Sequence, residues 1–453
     1  MPRLSTLLAL LASIASVVIF FLPPPAGATP LVMHAAALML FTVGLWATGV
    51  VPEYVTSLLF FLLAVATPQV VFSSFASATM WLVLGGLLIA EAVSATGLGR
   101  RFAGVLFERF VSSYSALIIA IAVVATVLSF FMPATVARML LLLPIVVALA
   151  ERVGFAYGSS GYNGLCMTAI MITYQSGSAI LPANAPNLVL AGATETLYAT
   201  PLIYAEYLWV MFPVLALLKG VFALWLIHRL FPAVVRPQAA PPALPAMSAA
   251  EKRLAVLLVI ALLLWMTDTL HGVRAGWVAL GAGLLCLMPR IGVLPPTAFN
   301  DIKLGPFFYV GASIGLGAVV HESGLGGFIG ASLRATLDLQ AHADFTNFMS
   351  LSVLNALVGL FVTNPAMPAV NTALAAPFAE AAGWPLTAAI MTIAVGYNVM
   401  FLPYQVPPVV VGMYACRVPV ATVVRVSLPL AAAGIAVFMP LEYLWWRLIG
   451  YFG

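Results

Sequence analysis

Two proline-containing loops place polar side chains in the middle of long apolar stretches. One spans residues 181–187 (Leu-Pro-Ala-Asn-Ala-Pro-Asn) and the other spans residues 402–408 (Leu-Pro-Tyr-Gln-Val-Pro-Pro). Proline lacks a backbone N–H and interrupts a helix, so each loop leaves backbone polar groups without helical partners. At membrane depth such groups are tolerated only where they line a cavity. Paired breaks in the two halves of a chain are typical of the binding site of a secondary transporter.

Arg138 is a second chemically prominent residue, because it lies deep in the apolar segment 115–151. An arginine at membrane depth is costly and must face water or an anionic partner. Its planar guanidinium suits bidentate binding of a carboxylate or a sulfate. A structural ion pair with an acid such as Glu91 is the alternative role. The residues leave both roles open.

The other ionisable residues of interest are acids and one lysine. Glu91 and Lys219 lie within predicted spans, where each is either a proton-coupling group or half of a structural ion pair. Glu53 and Asp268 lie near predicted helix ends, which favours an interfacial position. The sequence contains no nucleotide-binding loop, zinc-protease motif or serine-hydrolase motif. The chain is therefore predicted not to be an enzyme and to need no organic cofactor.

The amino-acid composition indicates which kind of secondary structure carries these side chains. Of the 453 residues, 63% are hydrophobic and 7% are charged, and the mean hydropathy is +1.12. Such values exclude an ordinary soluble globular protein. Long apolar runs predict an all-α polytopic membrane protein with about 11 membrane segments plus hairpins, in contact with the lipid bilayer. The net charge of +4 comes from basic residues dispersed over the loops, which argues against a nucleic-acid partner.

Apolar stretches of roughly 20 residues predict the membrane spans. They lie near residues 4–22, 31–50, 55–72, 79–97, 115–151, 163–199, 203–229, 254–270, 272–290, 305–321, 344–380, 384–414 and 419–447. A proline-rich stretch after residue 230 predicts an extended linker. The predicted division is an N-terminal helix and loop (1–30), a first inverted repeat (31–230), a cytoplasmic linker (231–252) and a second inverted repeat (253–453).

The distribution of Lys and Arg predicts the orientation. Most basic residues lie inside if the N-terminus is cytoplasmic and the C-terminus is outside. Segment 115–151 then enters and leaves on the cytoplasmic side as a re-entrant hairpin with its tip near Pro133. Segment 344–380 forms a second hairpin from the outer side, with its tip near Thr363. One hairpin from each side is what an inverted repeat predicts, and a bacterial inner membrane is the expected location.

Several short motifs occur in a characteristic order. The first half contains Trp46–Pro52 and Met80–Gly86, and the second half contains Leu264–Asp268 and Gly311–Gly317. In this order they resemble the divalent anion/sodium symporter family, which carries dicarboxylates, citrate or sulfate. The resemblance covers nearly the whole chain after the first helix. It implies an inverted-repeat transporter with two re-entrant hairpins and two broken helices, assembled as a homodimer.

The resemblance also implies where a small anionic substrate and sodium would bind. The substrate-binding candidates are Thr135, Arg138, Asn184, Asn187, Thr363, Asn364 and Gln405. Helix N-termini at the hairpin tips present free backbone donors to an anion. Helix capping is the alternative role of the same Thr and Asn side chains. A sodium ion is expected near Ala134, Thr135, Pro182, Asn187, Thr363, Asn364 and Pro403.

The chain departs from the family pattern at the ion-binding positions. The family's hairpin tips carry Ser-Asn-Thr, whereas the first tip here carries Ala134, Thr135 and Val136. The second broken helix reads Val-Pro-Pro at 406–408 and lacks the family's Asn. Sodium prefers several oxygen ligands, so these changes predict weak sodium dependence.

The expected function is secondary active transport of a small divalent or organic anion by alternating access. The candidate substrates are a dicarboxylate, a tricarboxylate, sulfate or a sulfonate. A proton-coupled carrier or an anion exchanger of the same fold is the first alternative. An anion channel is the second, and it would need a continuous polar path that the clustered polar residues do not indicate.

Overall fold

A computed structural model describes residues 2–64, 66–109, 113–132, 134–235 and 246–453. The secondary structure of these residues is helical, and no strand occurs among them. The prediction of an all-α protein is therefore confirmed. Two predicted features lie outside the described residues: Pro133 at the first hairpin tip, and part of the linker, residues 236–245.

Before this gap in the linker, the chain forms helices of very different lengths. They are α1 (Pro2–Phe21), α2 (Pro30–Thr48), α3 (Glu53–Leu63), α4 (Pro68–Val71), α5 (Ala78–Thr96), α6 (Leu98–Arg109), α7 (Tyr114–Phe131), α8 (Thr135–Arg152), α9 (Ser160–Ser178), α10 (Ala185–Tyr198), α11 (Tyr204–Met211) and α12 (Lys219–Leu230). Single 3-10 turns cover Ser73–Ala76 and Leu181–Ala183. A π-helical stretch, Phe212–Leu218, joins α11 to α12.

After the gap, a similar series follows. It comprises α13 (Ala249–Met266), α14 (Asp268–His271), α15 (Ala275–Leu287), α16 (Gly305–Glu322), α17 (Leu325–Leu337), α18 (Asp344–Val358), α19 (Met367–Asn371), α20 (Ala375–Ala382), α21 (Leu386–Tyr397), α22 (Pro407–Ala415), α23 (Val420–Ala433) and α24 (Met439–Leu448). The 3-10 turns cover Pro296–Asp301, Thr372–Leu374 and Pro403–Gln405, and a π-helical stretch, Gly434–Phe438, joins α23 to α24.

Only some of these helices are long and apolar enough to cross a membrane unaided. In the described part of the chain they are Pro30–Thr48, Ala78–Thr96, Tyr114–Phe131, Tyr204–Leu230 and Val420–Leu448. Some of the other predicted spans, such as 163–199 and 384–414, are divided into shorter helices. The count of about 11 membrane segments therefore stays a prediction.

One predicted span differs clearly from the structure. The stretch 55–72 was expected to be a single helix, but α3 ends at Leu63 and the short helix α4 begins at Pro68. Thr67 is extended, with φ −65° and ψ 152°. A residue before proline is disfavoured in the helical region, so Pro68 separates the two helices.

Helices α6 and α17 are additions that the sequence analysis did not predict. Each begins directly after a glycine in the left-handed conformation, Gly97 with φ 76° and Gly324 with φ 80°. A left-handed glycine ends the preceding helix and redirects the chain. Both helices were missed because the search for long apolar stretches passes over short amphipathic segments.

The order of elements repeats along the chain. Helices α5 to α12 follow one order: a long helix, an amphipathic helix, a pair of helices (α7 and α8), an interrupted helix and a helix with a π-helical stretch. Helices α16 to α24 follow the same order, with α18 and α19 as the pair. The two halves of the chain also pack reciprocally: α5 of the first half lies against α15 of the second, and α16 of the second half lies against α3 of the first. Helices α9 and α21 are buried along most of their lengths. They form the centre that positions the site.

Candidate functional site

The first helix break lies between α9 and α10. Helix α9 ends at Ser178 and α10 begins at Ala185, with Asn184 as its N-cap residue. The side-chain oxygen of Asn184 accepts a hydrogen bond from the backbone N–H of Asn187 at 3.1 Å. Asn184 therefore has the capping role that the sequence left open.

The second break lies between α21 and α22, which are separated by residues 398–406. The side-chain oxygen of Gln405 accepts hydrogen bonds from the backbone N–H groups of Phe401 (2.7 Å) and Leu402 (2.8 Å). The Gln405 carbonyl oxygen accepts a hydrogen bond from the backbone N–H of Asn364 at 2.8 Å. Gln405 thus stabilises the shape of this loop and bonds it to Asn364, which lies between α18 and α19.

Each helix pair contacts the break in its own half of the chain. Thr135, the first residue of α8, donates its hydroxyl hydrogen to the Ala183 carbonyl oxygen at 3.1 Å. Asn364 donates from its side-chain amide to the Tyr397 carbonyl oxygen at 2.7 Å and to the Tyr174 hydroxyl at 3.2 Å. These side-chain contacts fix where the predicted tips lie relative to the breaks.

One cavity of about 360 Å³, the central cavity, is lined by both tips and both breaks. The tips contribute Ala134, Thr135, Val136, Asn364 and Pro365, and the breaks contribute Asn184, Ala185, Pro186, Val406, Pro407 and Pro408. Surrounding helices add Glu53, Val83, Leu87, Tyr174 and Tyr309, among other residues. The structure therefore brings four separate sequence segments around one space.

The electrostatics of the central cavity come mainly from helix ends. None of the described residues that line it is basic. Helices α8, α10 and α22 begin at Thr135, Ala185 and Pro407, all of which line the cavity. Helix N-termini carry partial positive charge and free N–H groups, although the prolines at Pro186, Pro407 and Pro408 remove several donors. The helix ends thus favour an anion, the carboxyl group of Glu53 on the same lining opposes it, and much of the remaining surface is apolar.

The predicted site residues divide into two groups. Thr135, Asn184 and Asn364 line the central cavity, as does Ala134. Its lining does not include Arg138, Asn187, Thr363, Gln405, Pro182 or Pro403. These six residues lie in or beside the tips and breaks. Sequence reasoning missed Tyr174 and Tyr309. The only sequence feature that could have identified them is the presence of a tyrosine within a long apolar helix.

Arg138 is completely buried, at 0% exposure, and binds backbone oxygens. Its guanidinium donates to the carbonyl oxygens of Met132 and Ala183, the latter at 2.7 Å. It also donates to the Thr135 hydroxyl at 3.2 Å. The ion pairs within the described residues join other partners, Arg101 to Glu251 and Arg274 to Glu195. An ion pair between Arg138 and Glu91, one of the two expected roles, is not among them.

Lys219 is also buried, and it binds the second break. Its ammonium group donates to the backbone carbonyl oxygen of Asn398 at 2.8 Å and to that residue's side-chain oxygen. Glu442, fully buried on α24, accepts a hydrogen bond from Trp446 at 3.0 Å. Sequence reasoning missed Glu442, although an acid in the apolar span 419–447 is a signal that could have identified it.

A second cavity of about 590 Å³, the vestibule, adjoins the central cavity. The two share Leu87, Ala134, Val136 and Pro306 as lining residues. Charged side chains line the vestibule: Glu91, Arg100, Asp301 and Lys303. Arg100, on α6, and Lys303, in the loop before α16, are exposed.

An apolar helical scaffold around a cavity between interrupted helices defines a membrane transporter. Residues 3–452 match the sodium:sulfate symporter transmembrane region. The chain belongs to this family, as the motif order predicted. The family consists of transporters, so the assignment favours transport over catalysis.

Two relatives share much of their length with the chain. A membrane protein of Cupriavidus necator is 26% identical over 99% of this chain and 94% of its own length. The L-tartrate/succinate antiporter of Escherichia coli strain K12 is 24% identical over 74% of this chain and 72% of its own length.

Solved structures show the same fold. The crystal structure of the YdaH transporter of Alcanivorax borkumensis covers 100% of this chain and 99% of its own, with 16% identity and a TM-score of 0.58. MtrF of Neisseria gonorrhoeae, described as illuminating a class of antimetabolite efflux pumps, covers 98% of this chain and 94% of its own, with 13% identity and a TM-score of 0.50. At these identities the similarity concerns the fold alone.

Proposed function

We propose that this protein is a secondary active transporter that exchanges small organic anions, with dicarboxylates as the main class. The observation that carries the proposal is the central cavity, which both tips and both breaks line together. A binding site built from two halves of a chain can be opened to either side by moving one part against the other. Alternating access around this cavity is the mechanism we propose.

We propose the following topology for the chain. Residues 31–230 and 253–453 are inverted repeats joined by a cytoplasmic linker. The pairs α7–α8 and α18–α19 are re-entrant hairpins, and α9–α10 and α21–α22 are broken helices. The N-terminus is cytoplasmic, in a bacterial inner membrane, and the protein is a homodimer. Cross-linking in native membranes tests the dimer, and recovery of monomer alone would contradict it.

The lining of the central cavity favours an organic anion over inorganic sulfate. A sulfate ion is strongly hydrated and needs donors on all sides, whereas proline and valine side chains occupy much of this surface. A dicarboxylate carries apolar methylene groups that these side chains can contact. The side-chain amide of Asn184, with the helix ends, then binds its carboxylates, and Thr135 and Asn364 hold the tips in place through their own hydrogen bonds. The similarity to an L-tartrate/succinate antiporter supports the same class.

The vestibule provides a route between the cytoplasm and the central cavity. Arg100 and Lys303 on its lining attract anions locally, and Glu91 and Asp301 on the same lining partly offset this charge. The substrate then passes Ala134 and Val136, which belong to both linings. In this proposal the described conformation faces the cytoplasmic side.

A proton-coupled carrier is the second candidate, and Glu53 is the observation that favours it. This carboxyl group lines the central cavity beside the proposed anion site. Of the groups expected to titrate, Glu91 lines the vestibule, and Lys219 lies against Asn398. Protonation of any of these groups during transport would couple the anion to a proton.

Uptake into proteoliposomes tests the function. Labelled succinate, L-tartrate, citrate and sulfate are offered to vesicles with or without internal succinate. Exchange predicts saturable uptake of the dicarboxylates that requires an internal anion and is insensitive to an imposed sodium gradient. Uptake driven by a proton gradient with no internal anion would select the second candidate. Unsaturable conductance would select a channel, and failure of all four anions would reject the proposed substrate class.

A further inference from the structure

Oxygens at the first tip and at the adjoining first helix break already have a cation bound to them. The Arg138 guanidinium donates to the carbonyl oxygens of Met132 and Ala183 and lies 3.5 Å from the carbonyl oxygen of Thr173. It also binds the Thr135 hydroxyl. Carbonyls and a hydroxyl at a helix break are the ligands that a transporter of this family would offer to sodium.

Asn187 binds two further carbonyls at the same break. Its side-chain amide donates to the carbonyl oxygens of Gly177 at 3.0 Å and Ile180 at 2.8 Å. Its own side-chain oxygen accepts a hydrogen bond from Tyr397 at 2.8 Å. These oxygens are thus all engaged by protein donors, whereas sodium needs several free oxygens at once. The residues present at the first break do not fit a sodium ion.

The backbone around the break makes room for the guanidinium. A Cβ atom at Gly177 would lie 2.6 Å from the Arg138 Nη2 atom, so any larger residue at 177 would displace the side chain. No ion pair of the described residues neutralises Arg138. The positive charge is therefore balanced by carbonyl dipoles, in the same way as a bound metal cation.

We propose that Arg138 is a tethered cation that takes the place of the first sodium ion of this transporter family. The first ion site is then permanently filled, and it neither binds nor releases sodium during transport. The second break has a related arrangement, because Lys219 donates to the backbone and side-chain oxygens of Asn398. The inference rests on the proposed function, since a built-in cation matters for coupling only in a carrier.

Sodium-specific stabilisation of the purified protein tests this inference without any substrate. Thermal unfolding is measured in sodium chloride and in choline chloride at equal ionic strength. We expect the same Tm for the wild type in both salts. Arg138→Ala empties the site, so its Tm in choline should fall and sodium should restore several degrees of the loss. Arg253→Ala is the matched control, because Arg253 is an exposed arginine that also donates to carbonyl oxygens, at Arg290 and Ile291.

Three results would overturn the inference. The first is a sodium-specific rise in the Tm of the wild type, and the second is an Arg138→Ala protein whose Tm does not change with sodium. The third is a sodium stabilisation of Arg253→Ala that equals that of Arg138→Ala. If Arg138→Ala does not fold, Arg138→Lys decides together with the wild type. Lysine keeps the cation, so its Tm should be insensitive to sodium, and a sodium-specific rise would contradict the proposal. The unfolding assay contains no transported substrate. Its results therefore stay informative even if the proposed substrate class is wrong.

Discussion

The hydroxyl of Tyr397 donates a hydrogen bond to the side-chain oxygen of Asn187, with 2.8 Å between the two oxygens. Tyr397 ends α21 and Asn187 lies in the first turn of α10, so this bond joins the two helix breaks. Both side chains are buried. Asn187 also holds the carbonyl oxygens of the first break. This bond therefore links the position of one break directly to that of the other.

Tyr397→Phe should weaken this connection. The substitution leaves the buried Asn187 oxygen without its donor, which typically costs about 1–3 kcal/mol. We expect a lower Tm and slower anion exchange, measured by thermal unfolding and by proteoliposome uptake. Tyr157→Phe is the control, because the exposed Tyr157 hydroxyl donates to the Arg417 carbonyl oxygen at 2.9 Å. Equal effects of the two substitutions would show that the bond between the breaks has no special role.

The sequence predicted which segments lie close together better than it predicted the partners of each side chain. Proline, at positions such as Pro182 and Pro403, has a strong local effect on the backbone, and helices α9 and α21 both end shortly before these prolines. The partners of Arg138 were not predictable, because Thr173 and Ala183 belong to other elements that only the tertiary fold brings near. A buried charge is energetically unfavourable without a partner, so it indicates that a partner exists but does not identify the residue.

A substitution that fills the central cavity should block transport without unfolding the protein. Val411 lines the cavity on α22, whereas its neighbour Val410 is similarly half-buried but is not part of the lining. Val411→Phe places a larger ring in the substrate's space. We expect loss of at least about 90% of exchange, more than tenfold, whereas Val410→Phe should retain most activity.

Tm values of the two variants, measured alongside uptake, separate blockage from misfolding. A Val411→Phe protein of wild-type Tm that exchanges dicarboxylates at the normal rate would show that the central cavity is not the binding site.

The vestibule charges should affect capture of substrate more than its translocation. Arg100→Ala and Lys303→Ala remove exposed positive charges from the proposed entrance. Each should raise the apparent KM for cytoplasmic anion with little change in maximal rate, and the effect should shrink at high salt. Lys252→Ala removes an exposed lysine that does not line the vestibule and is the control. A fall in maximal rate with unchanged KM would contradict this role.

An ion pair links the amphipathic helix α6 to the start of α13, and it should give a defined pH dependence. Arg101 donates to the Glu251 carboxylate at 2.6 Å, and the Ser248 backbone N–H donates to it at 2.7 Å. Glu251 precedes the predicted span 254–270. The hydrogen bond from Arg101, with that from Ser248, lowers the pKa of Glu251 to about 2 from an ordinary value of 4.5.

A lowered pKa in the folded state means that the ionised carboxylate stabilises the fold. This stabilisation is complete above the unfolded-state pKa and is lost as the pH falls through the folded-state pKa. Glu251→Gln should therefore lower the Tm by a constant amount from pH 8 to about pH 5, and the difference should shrink as the pH falls from about 4.5 toward 2. Thermal unfolding of both proteins across this range is the measurement. Glu322→Gln, at an exposed acid, controls for general charge effects. If the Tm difference between the wild type and Glu251→Gln stays constant down to pH 3, the ion pair does not stabilise the junction between α6 and α13.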